Sequence, residues 1–386
     1  MGKFKDCLIY ERETMLPYFC MLAMVQNIGN VTYDKLCEHF DSPKEIFETE
    51  EPQLNSLGIL SKGQMDALIK TKMSINPERY YAELTKQGIG FVSVEDDAYP
   101  ARLLDIPSRP IGLFYCGSLP DENIPTAGVI GARECSFYGE EAAGLIGGSL
   151  GGNGIQVISG MARGIDSLSQ LAALDAGGRS FAVLGGGVDI CYPRESRRLY
   201  DRLKEQGGII SEYAPGVAPL RTFFIRRNRI ISGLSDVLCV VEAKKKSGTL
   251  TTVDCALEQG RDVFCVPGRI TDKTSAGCNE LIRQGAEILS DPEQLSKDIL
   301  ERWGLKPMPE AHTAASESAS KLNYIEKLIL ARASTDSFVP DELLEYPEIR
   351  EYSNAFELLT VCTMLSYDGY LVNMGGGRFR KSVKQH

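Results

Sequence analysis

The stretch IQVISGMARGIDSLSQLAALDAGGRSFAVLGGG, residues 155–187, contains one complete repeat of the pattern that decides the fold. It begins with a short apolar run and passes through a turn with two glycines. Apolar residues at helical spacing follow, and a second apolar run ends in three glycines. This order is typical of a buried strand, a covering helix and a second buried strand. We therefore predict two parallel strands joined by a helix.

The same alternation continues over residues 127–300. Near-continuous apolar strands separated by helical stretches are typical of a parallel sheet with helices on both faces. The sequence therefore predicts a doubly wound, Rossmann-like, mostly parallel α/β sheet. Ligands of such sheets bind beyond the carboxyl ends of the strands, near a topological switch point. The predicted strands lie in AGVIGA, IQVISG, RSFAVLGGG, GGIISEY, SDVLCVVEA, RDVFCVPG and AEILSD.

The segments on either side of this core predict smaller domains. Residues 1–72 repeat apolar residues at helical spacing around a glycine turn at 28–30, which indicates a SAM-like or helix-hairpin-helix-like domain. We expect residues 73–303 to form the extended Rossmann-like domain and residues 304–320 a linker. Residues 321–386 should form a winged-helix-like domain that ends in a hairpin. Such flanking modules can bind DNA, dock proteins or serve structure alone, so their ligands stay open.

Composition excludes several classes of protein. The only histidines are His39, His312 and His386, so any chemistry in residues 40–311 lacks the usual general base. The 11 cysteines are scattered without a C-x-x-C pair, which argues for free thiols and against a zinc site. We predict no catalytic residue, metal or cofactor. The N-terminus lacks the apolar core of a secretory signal, and no run of about 18 apolar residues occurs, so we expect a cytoplasmic protein.

The charge of the chain is unevenly distributed. A net charge of −10 argues against nucleic-acid binding, because that binding depends on neutralising phosphates. Residues 221–246, however, contain seven basic and two acidic residues, a net charge of +5. This basic segment is a candidate contact for a polyanion.

The turn SGMARGID, residues 159–166, has the composition of a phosphate-binding turn. Gly160 and Gly164 do not fit the G-x-G-x-x-G spacing of dinucleotide sites. They still allow close approach of the backbone, amides at the start of the next helix can face an anion, and Arg163 supplies charge. The alternative is that the glycines serve the tight turn alone and that Asp166 caps the helix.

Two further segments add cations and rings. Arg133 in VIGAREC follows the first predicted strand and should lie at the same sheet edge as Arg163. RTFFIRRNRIIS, residues 221–232, combines arginines with phenylalanines, which suits single-stranded nucleic acid, since arginines hold the backbone while an exposed ring stacks on a base. The alternative is an amphipathic helix with Phe223, Ile230 and Ile231 buried and the arginines solvated.

A fourth segment, KKKSGTLTTVDCALEQG at residues 244–260, again has the pattern of an anion site. Ser247, Gly248 and Thr249 open a helix directly after a predicted strand. The chain contains no Walker A motif, which excludes nucleotide hydrolysis by a P-loop.

Together these segments resemble the DNA-processing protein A family, also called DprA or Smf. Over residues 90–295 the chain has counterparts of the family's GSR turn, SGxARGID loop, GxGxDxxYPxxN-like stretch, FPxRNRIIxG segment, SGxLxTxxxALxxGRxVxxVPG run and GxNxLIxxGA segment. Here they are GAR (131–133), SGMARGID (159–166), GGGVDICYPRES (185–196), FIRRNRIISG (224–233), SGTLTTVDCALEQGRDVFCVPG (247–268) and GCNELIRQGA (277–286).

The resemblance implies a protein without enzymatic activity that binds single-stranded DNA. It also implies homodimers formed through the Rossmann-like domain and the loading of RecA recombinase onto DNA during natural transformation or other recombination. With the segments above, it gives the expected DNA-binding residues, which are Arg133, Ser159, Gly160, Arg163, Gly164, Arg221, Phe224, Arg227, Asn228, Arg229, Ser247, Gly248, Thr249 and Asn279.

Three positions depart from the family pattern. Ala132 replaces a serine and so removes a hydroxyl donor, while Ile225 replaces a proline and frees the local backbone. Arg221 stands where many members have a lysine that holds the DNA backbone, and it keeps the charge.

Two other functions stay open. The lysine-decarboxylase-like (LOG) phosphoribohydrolases cleave the N-glycosidic bond of nucleotides and have a related sheet, and KKSGTLTTVD echoes their PGGxGTxxE motif. Thr252 and Val253, however, lie where their catalytic glutamate would be expected. The other possibility is a scaffold whose basic segment docks an acidic protein.

Overall fold

The structure is a computed structural model that describes residues 9–25, 27–306, 324–350, 353–367 and 369–382. The chain divides into two compact units, Met1–Pro307 and Met308–His386, and each is described by itself. None of the helices in the described ranges is both long and apolar enough to cross a lipid bilayer.

The first unit begins with six helices, of which the first packs against the two strands at one edge of a sheet. Side chains of Ser42, Ser61 and Asn76 accept hydrogen bonds from amides in the first turns of three of these helices, which fixes where those helices begin. Hydrogen bonds connect these helices to the sheet: the Tyr33 hydroxyl donates to Glu95, and Arg109 donates to Asp34. The assignment as a SAM-like or helix-hairpin-helix-like domain stays a prediction. The helices are α1 (Ile9–Met24), α2 (Asn30–Cys37), α3 (Pro43–Glu48), α4 (Glu51–Ser56), α5 (Lys62–Ser74) and α6 (Pro77–Lys86).

Nine strands of the described residues form one sheet in the order β1-β2-β6-β5-β4-β3-β7-β8-β9. The first two strands run antiparallel at one edge, and the other seven are parallel. All seven apolar runs predicted as strands form this parallel part. The strands are β1 (Gly90–Ser93), β2 (Gly112–Gly117), β3 (Thr126–Ile130), β4 (Gln156–Ser159), β5 (Ser180–Val183), β6 (Gly207–Ser211), β7 (Val237–Val240), β8 (Asp262–Cys265) and β9 (Glu287–Ile288).

Helices cover both faces of the sheet, as a doubly wound fold requires. Ile146 of α7 and Ile299 of α13 belong to the apolar cluster on one face. Leu203 of α9, Ile230 of α10 and Val253 of α11 belong to the cluster on the other face. The predicted Rossmann-like, mostly parallel α/β fold is confirmed. The helices are α7 (Phe137–Gly152), α8 (Ile165–Asp175), α9 (Arg197–Gln206), α10 (Arg221–Gly233), α11 (Thr249–Glu258), α12 (Ala276–Arg283) and α13 (Pro292–Arg302).

The topological switch point lies between β3 and β7. These two strands are neighbours in the sheet, and the chain leaves β3 towards β4 but leaves β7 towards β8 on the opposite side. The connections after β3 and β7 therefore lead away in opposite directions from the carboxyl edge, which is where such sheets bind ligands.

The second unit consists of short helices followed by a hairpin. Its core contains Ile329, Leu358 and Phe379. Strands β10 and β11 pair antiparallel around three glycines with positive φ. The winged-helix-like assignment and the domain boundaries stay predictions, and the predicted linker lies, from residue 307 on, outside the described residues. The elements are α14 (Tyr324–Arg332), α15 (Pro347–Arg350), α16 (Ala355–Tyr367), β10 (Leu371–Gly375) and β11 (Arg378–Lys381).

Candidate nucleic-acid interface

The turns at the carboxyl ends of the central strands meet at one edge of the sheet, because these strands are parallel. We call this edge the carboxyl rim and define it by residues 131–134, 160–164, 185–195, 221–227 and 244–249. It contains ten of the fourteen predicted DNA-binding residues. Ser159, Asn228 and Arg229 adjoin it along the chain, and Asn279 lies outside it.

 The ten are Arg133, Gly160, Arg163, Gly164, Arg221, Phe224, Arg227, Ser247, Gly248 and Thr249.

The two turns that border the switch point, after β3 and β7, are hydrogen-bonded to each other. Thr249 at the start of α11 donates a hydrogen bond of 3.2 Å from Oγ1 to the carbonyl oxygen of Gly131. Glu242, which is fully buried after β7, accepts hydrogen bonds of 2.9 Å and 2.6 Å from the amide and hydroxyl of Ser136. Hydrogen bonds therefore connect the two turns at the switch point.

Gly164 brings the loop after β4 onto the turn after β3. Its φ of +71° lies in the left-handed region, and a Cβ at this position would lie 2.4 Å from the carbonyl oxygen of Ala132. The next amide, that of Ile165, donates to the same oxygen at 3.2 Å. Arg133 and Arg163, predicted from separate segments, are brought to the same edge by this contact.

The first residues of the SGMARGID loop bind within the protein. Ser159 is buried and donates from Oγ to the carbonyl oxygen of Val129 at 2.6 Å. The amide of Gly160 donates to the carboxylate of Asp166 at 3.1 Å. This differs from the expectation that Ser159 and Gly160 bind DNA, because the Ser159 hydroxyl and the Gly160 amide already donate within the protein. The amides of Arg163 and Gly164 have no acceptor among the described residues and are the better candidates.

Arg227 lies beneath the rim rather than on its surface. It is 4% exposed, and its Nη1 donates to the carbonyl oxygens of Gly160 and Val183. Burial lowers the pKa of Arg227 to about 10, while the carboxylate of Asp166 opposes this shift. The expectation that Arg227 binds DNA directly does not fit this burial, and its guanidinium instead holds the loop in place.

Three other expected residues are also engaged internally. Arg229 forms an ion pair of 2.6 Å with Glu212, and the side-chain amide of Asn228 donates to Thr251 at 2.8 Å. Asn279 accepts from the amide of Gly268 at 3.2 Å and donates to its carbonyl oxygen at 3.0 Å. These contacts explain how the residues support the local fold.

The exposed cations of the rim are mostly unpaired. In the part of the chain that the structure describes, Arg133, Arg221, Arg226 and the lysines at 244–246 are exposed and form no ion pair. Arg163 is the exception, since its Nε lies 2.5 Å from a carboxylate oxygen of Glu195. Unpaired cations attract an anionic ligand more strongly than paired ones.

The helix α10 satisfies both interpretations of RTFFIRRNRIIS. Ile230 and Ile231 are buried, as in an amphipathic helix, while Arg221 at its first turn is exposed. Phe224 is half-buried, and the guanidinium carbon of Arg133 lies 5.7 Å from the centre of its ring. A ring and an unpaired cation therefore stand side by side on the rim.

The third rim segment opens α11. Thr249 is its first residue, Gly248 precedes it without a side-chain cap, and Ser247 accepts from the Thr249 amide at 3.2 Å. The exposed lysines at 244–246 lie just before this helix start. The amides of Thr249, Leu250 and Thr251 already donate to Ser247 and Gly248, so the segment offers an anion mainly the positive charge of its lysines.

Tyr192 is the residue that the sequence interpretation missed. It lies in GGGVDICYPRES, is 47% exposed, and its ring centre is 5.5 Å from that of Phe224. The tyrosine in this GxGxDxxYPxxN-like segment is the signal that could have identified the ring.

Comparisons with known proteins indicate the family of this chain. Residues 90–300 match the family model described as DNA recombination-mediator protein A. The DNA processing protein DprA of Streptococcus pneumoniae is 41% identical over 224 residues, which are 56% of this chain and 79% of that protein. An X-ray structure of DprA from the same organism matches with a TM-score of 0.60 and 33% identity, covering 72% of this chain and 95% of that chain.

A further solved structure shares the fold. DNA processing protein A from Helicobacter pylori, described by its single-stranded DNA binding mode, matches with a TM-score of 0.50 and 24% identity, over 55% of this chain and 96% of that chain. The family match and the Streptococcus pneumoniae relative confirm the resemblance inferred from the motifs. This chain belongs to the DNA recombination-mediator protein A family.

Proposed function

We propose that this chain binds single-stranded DNA along the carboxyl rim and acts in recombination without enzymatic activity. The observation that carries the proposal is the position of Arg133, an exposed and unpaired cation 5.7 Å from the ring of Phe224. A cation beside a ring suits a strand whose backbone is charged and whose bases are free to stack. The Helicobacter pylori relative, described as binding single-stranded DNA, supports the same ligand.

The arrangement favours single strands over duplex DNA. Bases of a duplex are stacked on each other, so Phe224 would find no free base face there. Binding through Arg133, Arg221 and the lysines at 244–246 should be sequence-tolerant and should weaken with salt, because phosphate contacts release counterions.

Fluorescence anisotropy with labelled oligo-dT at two salt concentrations tests this proposal, with unlabelled duplex as competitor. Arg133→Ala and Arg221→Ala should each weaken binding and reduce the salt slope by about 0.7 per lost phosphate contact. Arg302→Ala is the matched control, because Arg302 is exposed but pairs at 2.5 Å with Asp262, at the start of β8 and thus at the opposite edge. Unchanged affinity of both rim variants, or equal competition by duplex, would contradict the proposal.

We further propose that the bound strand is handed to a RecA-type recombinase and that the chain acts as a homodimer. The recombinase's ATPase activity on single-stranded DNA covered by a single-strand-binding protein should rise when the chain is added. It should not rise with the Arg133→Ala, Arg221→Ala double variant. Light scattering should give twice the chain mass of 42.4 kDa, and a monomeric mass at working concentration would contradict the dimer.

A further inference from the structure

Tyr192 exposes a large ring at the rim without an evident structural need. It is 47% exposed, and its hydroxyl forms no hydrogen bond within the described residues. Its ring centre lies 5.5 Å from that of Phe224, with an angle of 35° between the ring planes. The two rings therefore form one continuous aromatic surface.

Phe224 has protein on several sides, which limits the surface it can offer alone. A Cβ on Gly185 would lie 2.8 Å from its Cδ1, so this glycine lets the ring lie close to the strand end. The guanidinium groups of Arg133 and Arg227 lie 5.7 Å and 5.9 Å from its centre. The more exposed ring of the pair is that of Tyr192.

The turn that carries Tyr192 also contacts the SGMARGID loop. Glu195, three residues further along, forms the ion pair with Arg163. Tyr192 thus lies on a segment that touches both the aromatic surface and a cation of the rim. A base stacked on its ring would belong to a strand whose phosphates lie within reach of the same rim.

We infer that Tyr192 is a base-stacking residue of this site, so that the rim binds nucleobases through a two-ring surface and not through Phe224 alone. This inference rests on the proposed binding of single-stranded DNA. Stacking on an aromatic side chain accepts any base, since every base has a π-face. The two-ring surface therefore adds affinity without sequence preference.

The test compares two ligands of equal length, oligo-dT and an oligomer made only of abasic nucleotides. Tyr192→Ala should weaken binding of oligo-dT about 5- to 100-fold, while binding of the abasic oligomer should change by less than about twofold. Tyr192→Phe should bind both ligands like the wild type, because it keeps the ring. The salt slope should stay unchanged in both variants, since a ring releases no counterion.

Two results would overturn the inference. Unchanged binding of oligo-dT by Tyr192→Ala would show that no base stacks there, and equal weakening for both ligands would show that the ring acts only by supporting the rim. Arg133→Ala separates this failure from failure of the proposed function. If Arg133→Ala still weakens binding while Tyr192→Ala does not, the DNA site stands and only the role of Tyr192 falls.

Discussion

The guanidinium of Arg227 donates a hydrogen bond of 3.0 Å to the carbonyl oxygen of Gly160. The amide of the same glycine donates to Asp166 at 3.1 Å. The carbonyl oxygen of Gly160 is thus bound by the buried Arg227, and its amide is bound by the buried Asp166. These internal contacts stabilise the position of the SGMARGID loop, as its glycines do.

Arg227→Met should destabilise the protein in a pH-dependent way. The carbonyl oxygens of Gly160 and Val183 lose a donor, which costs about 1–3 kcal/mol for each buried acceptor left unsatisfied. Burial already raises the pKa of Asp166 above its ordinary value of 3.8, and the loss of Arg227 removes a charge that opposes this rise. An acid whose pKa is higher in the folded than in the unfolded state stabilises the fold below the unfolded pKa and loses that contribution as pH rises through the folded pKa.

The free-energy deficit of Arg227→Met relative to the wild type should therefore be smallest near pH 4 and grow towards neutral pH. Urea unfolding at several pH values measures it. Adding Asp166→Asn should remove the pH dependence, since asparagine does not titrate. A deficit of Arg227→Met that is the same at every pH would contradict the role of Asp166.

The sequence predicted the sheet well because its signal is local. Apolar runs such as those of β4 and β5 are continuous, and their separation by helical stretches leaves one plausible arrangement. The edge that carries Arg133 and Arg163 followed from the same rule, because the carboxyl ends of parallel strands meet.

The sequence could not distinguish rim residues from those beneath the rim. Arg226 and Arg227 are neighbours of the same type, yet one is exposed and the other is 4% exposed. Their difference depends on the rotation of α10 against the sheet and on the carbonyl oxygens that it meets there. Likewise, the position of Tyr192 beside Phe224 depends on a contact between segments about thirty residues apart, which no local pattern reports.

Gly164→Ala should destabilise the protein more than Gly177→Ala does. Both glycines have positive φ, +71° and +81°, which costs an alanine about 1–2 kcal/mol, and the ψ of −130° at Gly164 adds to that cost. A Cβ at 177 meets nothing within 4 Å, whereas one at 164 would lie 2.4 Å from the carbonyl oxygen of Ala132. Thermal unfolding measures the difference, and equal losses for the two variants would show that the close approach carries no cost.

Gly164→Ala should also weaken binding of oligo-dT, because the added methyl group pushes the SGMARGID loop away from the turn that carries Arg133. Gly177→Ala lies after α8, away from the rim, and should leave binding unchanged. If both variants lose affinity in proportion to their loss of stability, the effect of Gly164→Ala on binding is not specific to the rim.

Asn279→Ala should loosen the loop after β8 without removing a DNA contact. Both polar groups of Asn279 bind Gly268, so the variant leaves the amide and the carbonyl oxygen of that glycine without this partner. Hydrogen exchange at Gly268 should become faster, and affinity for oligo-dT should fall much less than with Arg133→Ala. Reduced affinity with unchanged exchange at Gly268 would instead indicate direct contact between Asn279 and DNA.

Glu195→Gln should strengthen binding of single-stranded DNA. In the present structure Glu195 occupies Arg163 at 2.5 Å, and both side chains are exposed, so the carboxylate competes with a phosphate for the same guanidinium. A hydrogen bond to its own backbone amide, aided by the charge of Arg163, holds the pKa of Glu195 below its ordinary value, so the competing charge persists at neutral pH. Anisotropy should show tighter binding and a salt slope steeper by about 0.7, the value for one added phosphate contact.

Asp201→Asn is the matched control, because it removes the same charge from another exposed ion pair, that with Arg197 at 2.8 Å. An equal gain in both variants would mean that only the net charge matters, and Arg163 would then make no specific contact with the strand.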